Sequence, residues 1–106
     1  MNISSLKNNA QTASRFLKAI SNTHRLLILC HLADSERSVG ELEKIVGLSQ
    51  SALSQHLARL RKEEVVKTRR EAQTIYYSIQ DENVLDVLQL LDNIFGEDAA
   101  KLARVA

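Results

Sequence analysis

The sequence predicts one domain over residues 1–106 that is mainly α-helical and carries a small β-hairpin. Three observations predict this fold class. Apolar residues recur at helical spacing along most of the chain, β-branched and aromatic runs replace them near residues 65–79, and a glycine at position 47 separates two short helical segments. Two helices joined by a short turn and followed by a hairpin form a winged helix-turn-helix.

Two helices precede the helix-turn-helix. Residues 4–20 carry apolar side chains at helical spacing, and Asn22 or Thr23 can cap a second helix that ends near Ala33. The second helix is apolar on all sides, which indicates that it is central and buried. A polar loop follows at residues 34–37.

The helix-turn-helix occupies residues 38–62. Ser38 and Glu41 have the spacing of a capping box, in which each side chain accepts a bond from the backbone N–H of the other residue. Gly47 can end the first helix and Ser49 can cap the second. The apolar face of the second helix consists of Leu53, Leu57 and Leu60. A plain αα-hairpin has the same spacing and is the alternative.

The opposite face of the second helix carries amides and hydroxyls, where an ordinary solvated face more often carries Lys and Glu. These side chains are Gln50, Ser51, Ser54 and Gln55. Glutamine can form two hydrogen bonds with adenine, and serine can donate or accept, so this face suits base edges in the major groove. We predict that this helix reads double-stranded DNA.

Two runs, residues 65–70 and 74–79, predict strands joined through residues 71–73. Arg69 and Arg70 flank the tip of this hairpin. Beside a helix-turn-helix, a basic-tipped hairpin is a wing that can lie along the DNA backbone or in the minor groove. The alternative is a solvated edge hairpin whose charges discourage aggregation.

Asp81 can cap a last helix that runs to about residue 103. Its apolar residues cover two faces, so that one can pack on the domain while the other requires a partner. The simplest solution is a homodimer formed through the first and last helices. The acidic residues of the last helix are interpreted as its solvated face.

The net charge of +1 conceals an uneven distribution of positive and negative charge along the chain. Residues 59–70 contain six basic and two acidic side chains, a net +4, whereas residues 81–98 contain six acidic side chains and no Lys or Arg. Attraction to phosphates depends on local charge, so the basic segment beside the DNA-reading helix matters more than the sum.

Together these motifs resemble the ArsR/SmtB family of bacterial winged-helix repressors and look closest to its NolR/HlyU-like branch. The resemblance covers roughly residues 14–95 and is carried by residues 38–42 (SVGEL), 48–57 (LSQSALSQHL) and 68–77 (TRREAQTIYY). It implies a homodimer whose DNA-reading helices enter successive major grooves of an imperfect palindrome, roughly 34 Å apart. It also implies repression by covering promoter DNA.

The resemblance implies roles for individual side chains. Gln50, Ser51, Ser54 and Gln55 match the base-reading positions, and Arg69, Arg70 and Gln73 match the wing. Candidates for contacts with the DNA backbone or for other roles are Ser49, His56, Arg59, Arg61 and Lys62. For His56 a half-buried packing role stays open. For Arg59, Arg61 and Lys62 the alternative is that they are part of an ordinary solvated surface.

The chain departs from those relatives that sense metals or thiol-reactive compounds. Residues 39–44 lack Cys and His and the last helix lacks His, so we predict no metal or other cofactor. His24 and His31 lie two helical turns apart, about 10.5 Å, too far to share one ion. Cys30 matches one of two sensor cysteines, but Gly96 stands at the second position. We therefore favour Cys30 as a small buried hydrophobe over a thiol sensor, and no small-molecule effector is evident.

The composition is that of an ordinary globular protein without a membrane partner. No apolar run approaches the roughly 20 residues that cross a bilayer, and one cysteine fits a reducing, cytoplasmic compartment. No phosphate loop, nucleophile elbow or recognisable pair of catalytic carboxylates indicates an enzyme. The leading interpretation is a dimeric, sequence-specific repressor that binds DNA. The alternatives are a winged-helix module that binds protein and a thiol-responsive regulator that uses Cys30.

Overall fold

The computed structural model describes residues 1–96, which form six helices and three strands. In chain order these are α1 (Ile3–Asn8), α2 (Ala10–Ile20), α3 (Thr23–Leu32), β1 (Arg37–Ser38), α4 (Val39–Val46), α5 (Gln50–Lys62), β2 (Val66–Glu71), β3 (Thr74–Ile79) and α6 (Asn83–Phe95). The predicted class, mainly α with a small hairpin, is confirmed. The predicted continuation of the last helix to about residue 103 lies outside the described residues.

Polar side chains start α3, α4 and α5 where the sequence predicts. At the start of α3, Asn22 accepts two backbone N–H bonds of 2.9 and 3.1 Å. Ser38 and Glu41 form the capping box before α4, with both bonds 3.1 Å long. Ser49 Oγ accepts the backbone N–H of Ala52 at 3.2 Å. Each bond satisfies a donor that a helix start leaves open, so the two helices of the helix-turn-helix begin at positions fixed by local chemistry.

The core is built from one face of each main element. Its buried side chains are Ala19, Ile20, Ile28, Leu29, Leu32, Leu42, Leu53, Leu57, Leu60, Val65, Val66 and Val84. The three leucines of α5 are at most 2% exposed, so burial of their apolar area holds α5 against the domain. The opposite face of α5 is thereby left to solvent.

The sheet has the order β1-β3-β2, and both strand pairs are antiparallel. In the hairpin Val66 pairs with Ile79 and Glu71 pairs with Thr74, which leaves a turn of two residues at 72–73. Ala72 has a positive φ of 55°, as the favoured two-residue hairpin turns require. The hairpin is the wing that the sequence predicts.

Two local features differ from the sequence-based expectation. The expected first helix over residues 4–20 is divided at Asn9, whose side-chain amide donates to the carbonyl oxygen of Ser5 at 2.9 Å. Such local bonds compete with the continuous backbone ladder. The expected polar loop at residues 34–37 contributes Arg37 to β1, which pairs with the edge of β3 that β2 leaves open.

Gly47 ends α4 in the left-handed region, with a φ of 67°. We expect Gly47→Ala to lower the free energy of unfolding by about 1 kcal/mol, because an alanine is strained there. Gly40→Ala is the matched control inside α4. Its Cβ would meet only Ser38 Oγ at 3.9 Å, so the better helix propensity of alanine should raise stability by about 0.5 kcal/mol or more. Denaturant titration measures both, and changes of equal sign would contradict the assignment.

Candidate nucleic-acid interface

The solvent-facing side of α5 carries the four predicted base-reading side chains. Gln50, Ser51, Ser54 and Gln55 are all exposed. At a rise of about 1.5 Å per residue they lie within about 8 Å of one another along the helix axis. Within residues 1–96 none of their side chains forms a hydrogen bond with another protein group. Their amides and hydroxyls are therefore available to a ligand.

The last turns of α5 add positive charge to the same helix. Arg59, Arg61 and Lys62 are exposed there. Ser49, in contrast, uses its hydroxyl to cap the helix. The helix thus presents neutral hydrogen-bonding groups first and cations afterwards, an order that suits base contacts at one end and phosphate contacts at the other.

A groove of about 610 Å³ separates α5 from the wing. Ser54, Arg61 and Lys62 line it from α5, and Ile75 and Tyr77 line it from β3. The cations of Arg61 and Lys62 can pair with phosphates, and the apolar side chains can contact deoxyribose. The groove therefore has the chemistry to accommodate a sugar–phosphate strand.

Arg69 contacts three neighbouring side chains, those of Glu36, Glu71 and Tyr76. Its Nε donates to the two carboxylate oxygens of Glu36 at 3.0 and 2.9 Å, and its Nη1 donates to Glu71 at 3.0 Å. Its guanidinium carbon lies 4.4 Å from the ring centroid of Tyr76. The hydrogen bonds with Glu36 and then Glu71 raise the pKa of Arg69 above its usual value. Its positive charge is balanced within the protein.

Arg70 and Gln73 are exposed at the tip of the wing. Arg70 forms no ion pair in the part of the chain that the structure describes. The wing therefore offers one uncompensated arginine per subunit, although the sequence contains two in a row. Sequence reasoning missed Glu36, because 33 positions separate it from Arg69 and no local pattern joins them.

His56 lies on the side of α5 that faces α2 and α3. It is half-buried, its ring centroid is 5.7 Å from that of His24, and its Nδ1 is 3.3 Å from Nη1 of Arg25. Burial, and then the electrostatic effects of the neighbouring Arg25 and His24, lower the pKa of His56 below its usual value. His56 therefore belongs with the packing side chains of α5 and lies apart from the four residues that are predicted to read bases.

Helices α1, α2, α3 and α6 carry exposed apolar side chains. This set, called the apolar face below, comprises Leu6, Leu17, Leu27, Leu90, Ile94 and Phe95. Large apolar side chains exposed in such numbers on one small domain indicate a protein interface. They lie on the elements that the sequence predicts for dimerisation, the first and last helices, and on α3.

Cys30 is exposed, so the expectation that it is a buried hydrophobe is wrong. Leu29 and Leu32 of α3 are buried in the core, whereas Cys30 faces a groove between α3 and α6 that Leu88 and Gly96 also line. Partial desolvation in this groove, and then the charge of Asp92, raise the pKa of the thiol. A raised pKa leaves less of the reactive thiolate at neutral pH.

Within residues 1–96 no cluster of three or more His, Cys, Asp or Glu could hold a metal ion. In the same residues, none of the helices combines the length and the hydropathy needed to cross a bilayer.

Known proteins resemble the chain over most of its length. The family model described as "Bacterial regulatory protein, arsR family" matches residues 22–68. Nodulation protein NolR of Rhizobium meliloti is 53% identical over 90 residues, which are 85% of this chain and 74% of NolR. Transcriptional activator HlyU of Vibrio cholerae serotype O1 is 47% identical over 95 residues, 90% of this chain and 88% of HlyU.

A solved structure extends the likeness to the fold. The homodimeric winged helix-turn-helix DNA-binding domain of Mb0332 from Mycobacterium bovis matches with a TM-score of 0.76 and 30% sequence identity. The match covers 88% of this chain and 86% of that one. The predicted winged helix-turn-helix is confirmed, with α4 and α5 as its two helices and the β2–β3 hairpin as its wing.

Proposed function

The chain belongs to the ArsR family of bacterial regulatory proteins, and we propose that it represses transcription by binding an imperfect DNA palindrome as a homodimer. Family membership makes it a DNA-binding transcriptional regulator. The observation that carries the finer proposal is the solvent-facing side of α5, where four amide and hydroxyl side chains are exposed and make no hydrogen bond within residues 1–96. We assign base reading to these four residues.

A homodimer accounts for the apolar face. Leu90 and Ile94 on α6 are 56% and 54% exposed, and Leu17 on α2 is 55% exposed. The related Mb0332 domain is homodimeric. In a symmetric dimer both copies of α5 carry the same groups, so the DNA sequence that they read is an inverted repeat.

Selection of binding sites from a pool of random duplexes tests this proposal. We expect the enriched sequence, called the operator below, to contain two inverted half-sites with centres about one helical turn apart, roughly 10 base pairs. Affinity for the operator should exceed affinity for a scrambled duplex of equal length by at least about a thousandfold. A pool that shows no enrichment after several rounds would contradict base reading.

Repression follows from the position of the operator rather than from a separate activity. A dimer bound across a promoter excludes other proteins from that DNA. We therefore expect expression of the protein to lower the output of a reporter whose promoter contains the operator. A rise in output would contradict repression and leave DNA binding intact.

The two wing arginines should differ in their effect on the salt dependence of binding. We expect Arg70→Ala to reduce the slope of log affinity against log salt by about 1.8, because each of two subunits loses one phosphate contact worth about 0.9. Arg69→Ala is the matched control one position away. Its charge is already balanced by Glu36 and Glu71, so the slope should change by much less. Titrations of the operator at several salt concentrations measure both slopes, and the opposite ranking would contradict the assignment.

A further inference from the structure

Arg25, the third residue of α3, donates hydrogen bonds to two other helices. Its Nε donates to the carbonyl oxygen of Ala19 at 2.6 Å, and its Nη2 donates to that of Lys18 at 3.2 Å. Both carbonyls belong to the last turn of α2. Its Nη1 lies 3.3 Å from Nδ1 of His56, in the middle of α5. One side chain thus joins the end of α2 to the DNA-reading helix.

The bond between Arg25 and His56 requires a neutral imidazole. Arginine carries only donors, so Nδ1 of His56 must accept with its lone pair and the ring proton must reside on Nε2. The charged or titratable groups around this ring are Arg25 and His24 from α3, with Arg59 of α5 close enough to Arg25 to act on it. The hydrogen bonds that Arg25 forms with α2 are with backbone carbonyl oxygens. A proton on Nδ1 of His56 would face the N–H donor and the positive charge of Arg25, and the bond would be lost.

This bond supplies a constraint that the rest of the α5 packing lacks. It is the only side-chain hydrogen bond between α5 and another helix in residues 1–96. The other main contacts of α5 with the domain, made by Leu53, Leu57 and Leu60, are apolar. Apolar burial is non-directional and tolerates a small rotation or slide of a helix. A hydrogen bond has a narrow range of distance and angle, so it fixes both.

We propose that Arg25 is a positioning residue for base reading: by bonding neutral His56, it sets the rotation and axial position of α5 and thereby the placement of Gln55 and Ser51. The inference rests on the proposed function, because it assumes that α5 reads bases. Arg25 and its two carbonyl partners belong to α3 and α2, which also carry Leu27 and Leu17 of the apolar face. The same side chain therefore joins two helices that carry parts of the apolar face to the helix that carries the base-reading groups.

The first test compares affinities for the operator and for a scrambled duplex of equal length. We expect Arg25→Ala to lower the affinity ratio at least about tenfold, because each of the two subunits loses one ordinary hydrogen bond. Arg15→Ala is the matched control, since Arg15 is an exposed arginine of α2 that forms no side-chain hydrogen bond within residues 1–96. It should lower both affinities alike and leave the ratio unchanged.

Variants of His56 test the hydrogen bond between Arg25 and His56 while the positive charge of Arg25 is kept. His56→Asn keeps an oxygen acceptor near the position of Nδ1 and should retain the wild-type ratio. His56→Leu removes the acceptor and should lower the ratio as Arg25→Ala does. The double variant of Arg25→Ala and His56→Leu should then lower it no further, because both substitutions remove the same interaction. Arg25→Lys, which keeps the charge but cannot reach all three acceptors, should also lower the ratio and serves if Arg25→Ala fails to fold.

The pH profile distinguishes positioning from a general contribution to stability. In the wild type the affinity ratio should be constant above about pH 6.5 and fall below it as His56 takes up a proton. With His56→Asn the ratio should be flat across the same range. A fall of equal size in both proteins would assign the pH effect to other groups and contradict the proposal.

A measurement without DNA completes the test. Nitrogen-15 NMR of the free protein should show His56 as the Nε2–H tautomer, and Arg25→Ala should raise the pKa of His56 because a neighbouring positive charge is removed. An Nδ1–H tautomer, or a wild-type affinity ratio in Arg25→Ala, would overturn the inference while the proposed function stands. A wild-type protein that binds both duplexes equally would overturn both.

Discussion

Leu90→Glu is expected to convert the dimer into a monomer and to weaken binding to the operator by at least about a hundredfold. Leu90 is 56% exposed on α6, so the substitution removes no core packing but places a charge in the apolar face. A monomer engages one half-site only and loses the gain in affinity that two linked half-sites provide, about 10² or more. Analytical ultracentrifugation measures the oligomeric state, and electrophoretic mobility shift measures the affinity.

The control introduces the same charge elsewhere. Ile45 on α4 is a 39% exposed aliphatic residue outside the apolar face, and Ile45→Glu should leave the protein dimeric. Circular dichroism should show the same helix content for both variants. A Leu90→Glu protein that stays dimeric would place the subunit interface on another surface.

Gln55→Ala is expected to relax sequence preference at one base pair of each half-site. A bidentate contact between an amide and a base is worth about 1–3 kcal/mol of discrimination, or roughly 5- to 150-fold. Competition among operators that vary at one position at a time measures this loss. Affinity for scrambled duplexes should change little, because the neutral amide contributes nothing to phosphate attraction.

Gln73→Ala is the matched substitution in the wing. The side chain of Gln73 is exposed in the hairpin turn, so its loss should act on all duplexes alike and leave the base preference unchanged. If Gln55→Ala and Gln73→Ala both leave every preference intact, the base-reading assignment of α5 is wrong.

The helix-turn-helix could be predicted because its signals are local. The Ser38–Glu41 capping box, the left-handed Gly47 and the Ser49 cap each act over a few residues, and each forms as the sequence indicates. The alternation in residues 74–79 likewise predicts β3 without knowledge of its neighbours. The family resemblance added the functional meaning of these elements, and the comparisons confirm the family.

Features that depend on distant partners could not be predicted. β1 exists because residues 37–38 meet β3 from far along the chain, and Arg69 is neutralised by a glutamate 33 positions away. The exposure of Cys30 depends on which side of α3 the helix α6 covers. The division at Asn9 was also not predicted, although its cause is local. The apolar periodicity of residues 4–20 continues through Asn9 and gives no sign of the side-chain hydrogen bond that competes with the helix.

The two-residue strand β1 has a consequence for operator architecture. Ser38 pairs with Tyr76 of the wing and also caps α4, so one residue joins the hairpin directly to the helix-turn-helix. We therefore expect the separation of the two DNA-reading units in the dimer to depend on the contacts between the subunits. Substitutions at those contacts should select DNA with a different spacer between unchanged half-sites, whereas substitutions within a DNA-reading unit should change the half-sites and keep the spacer.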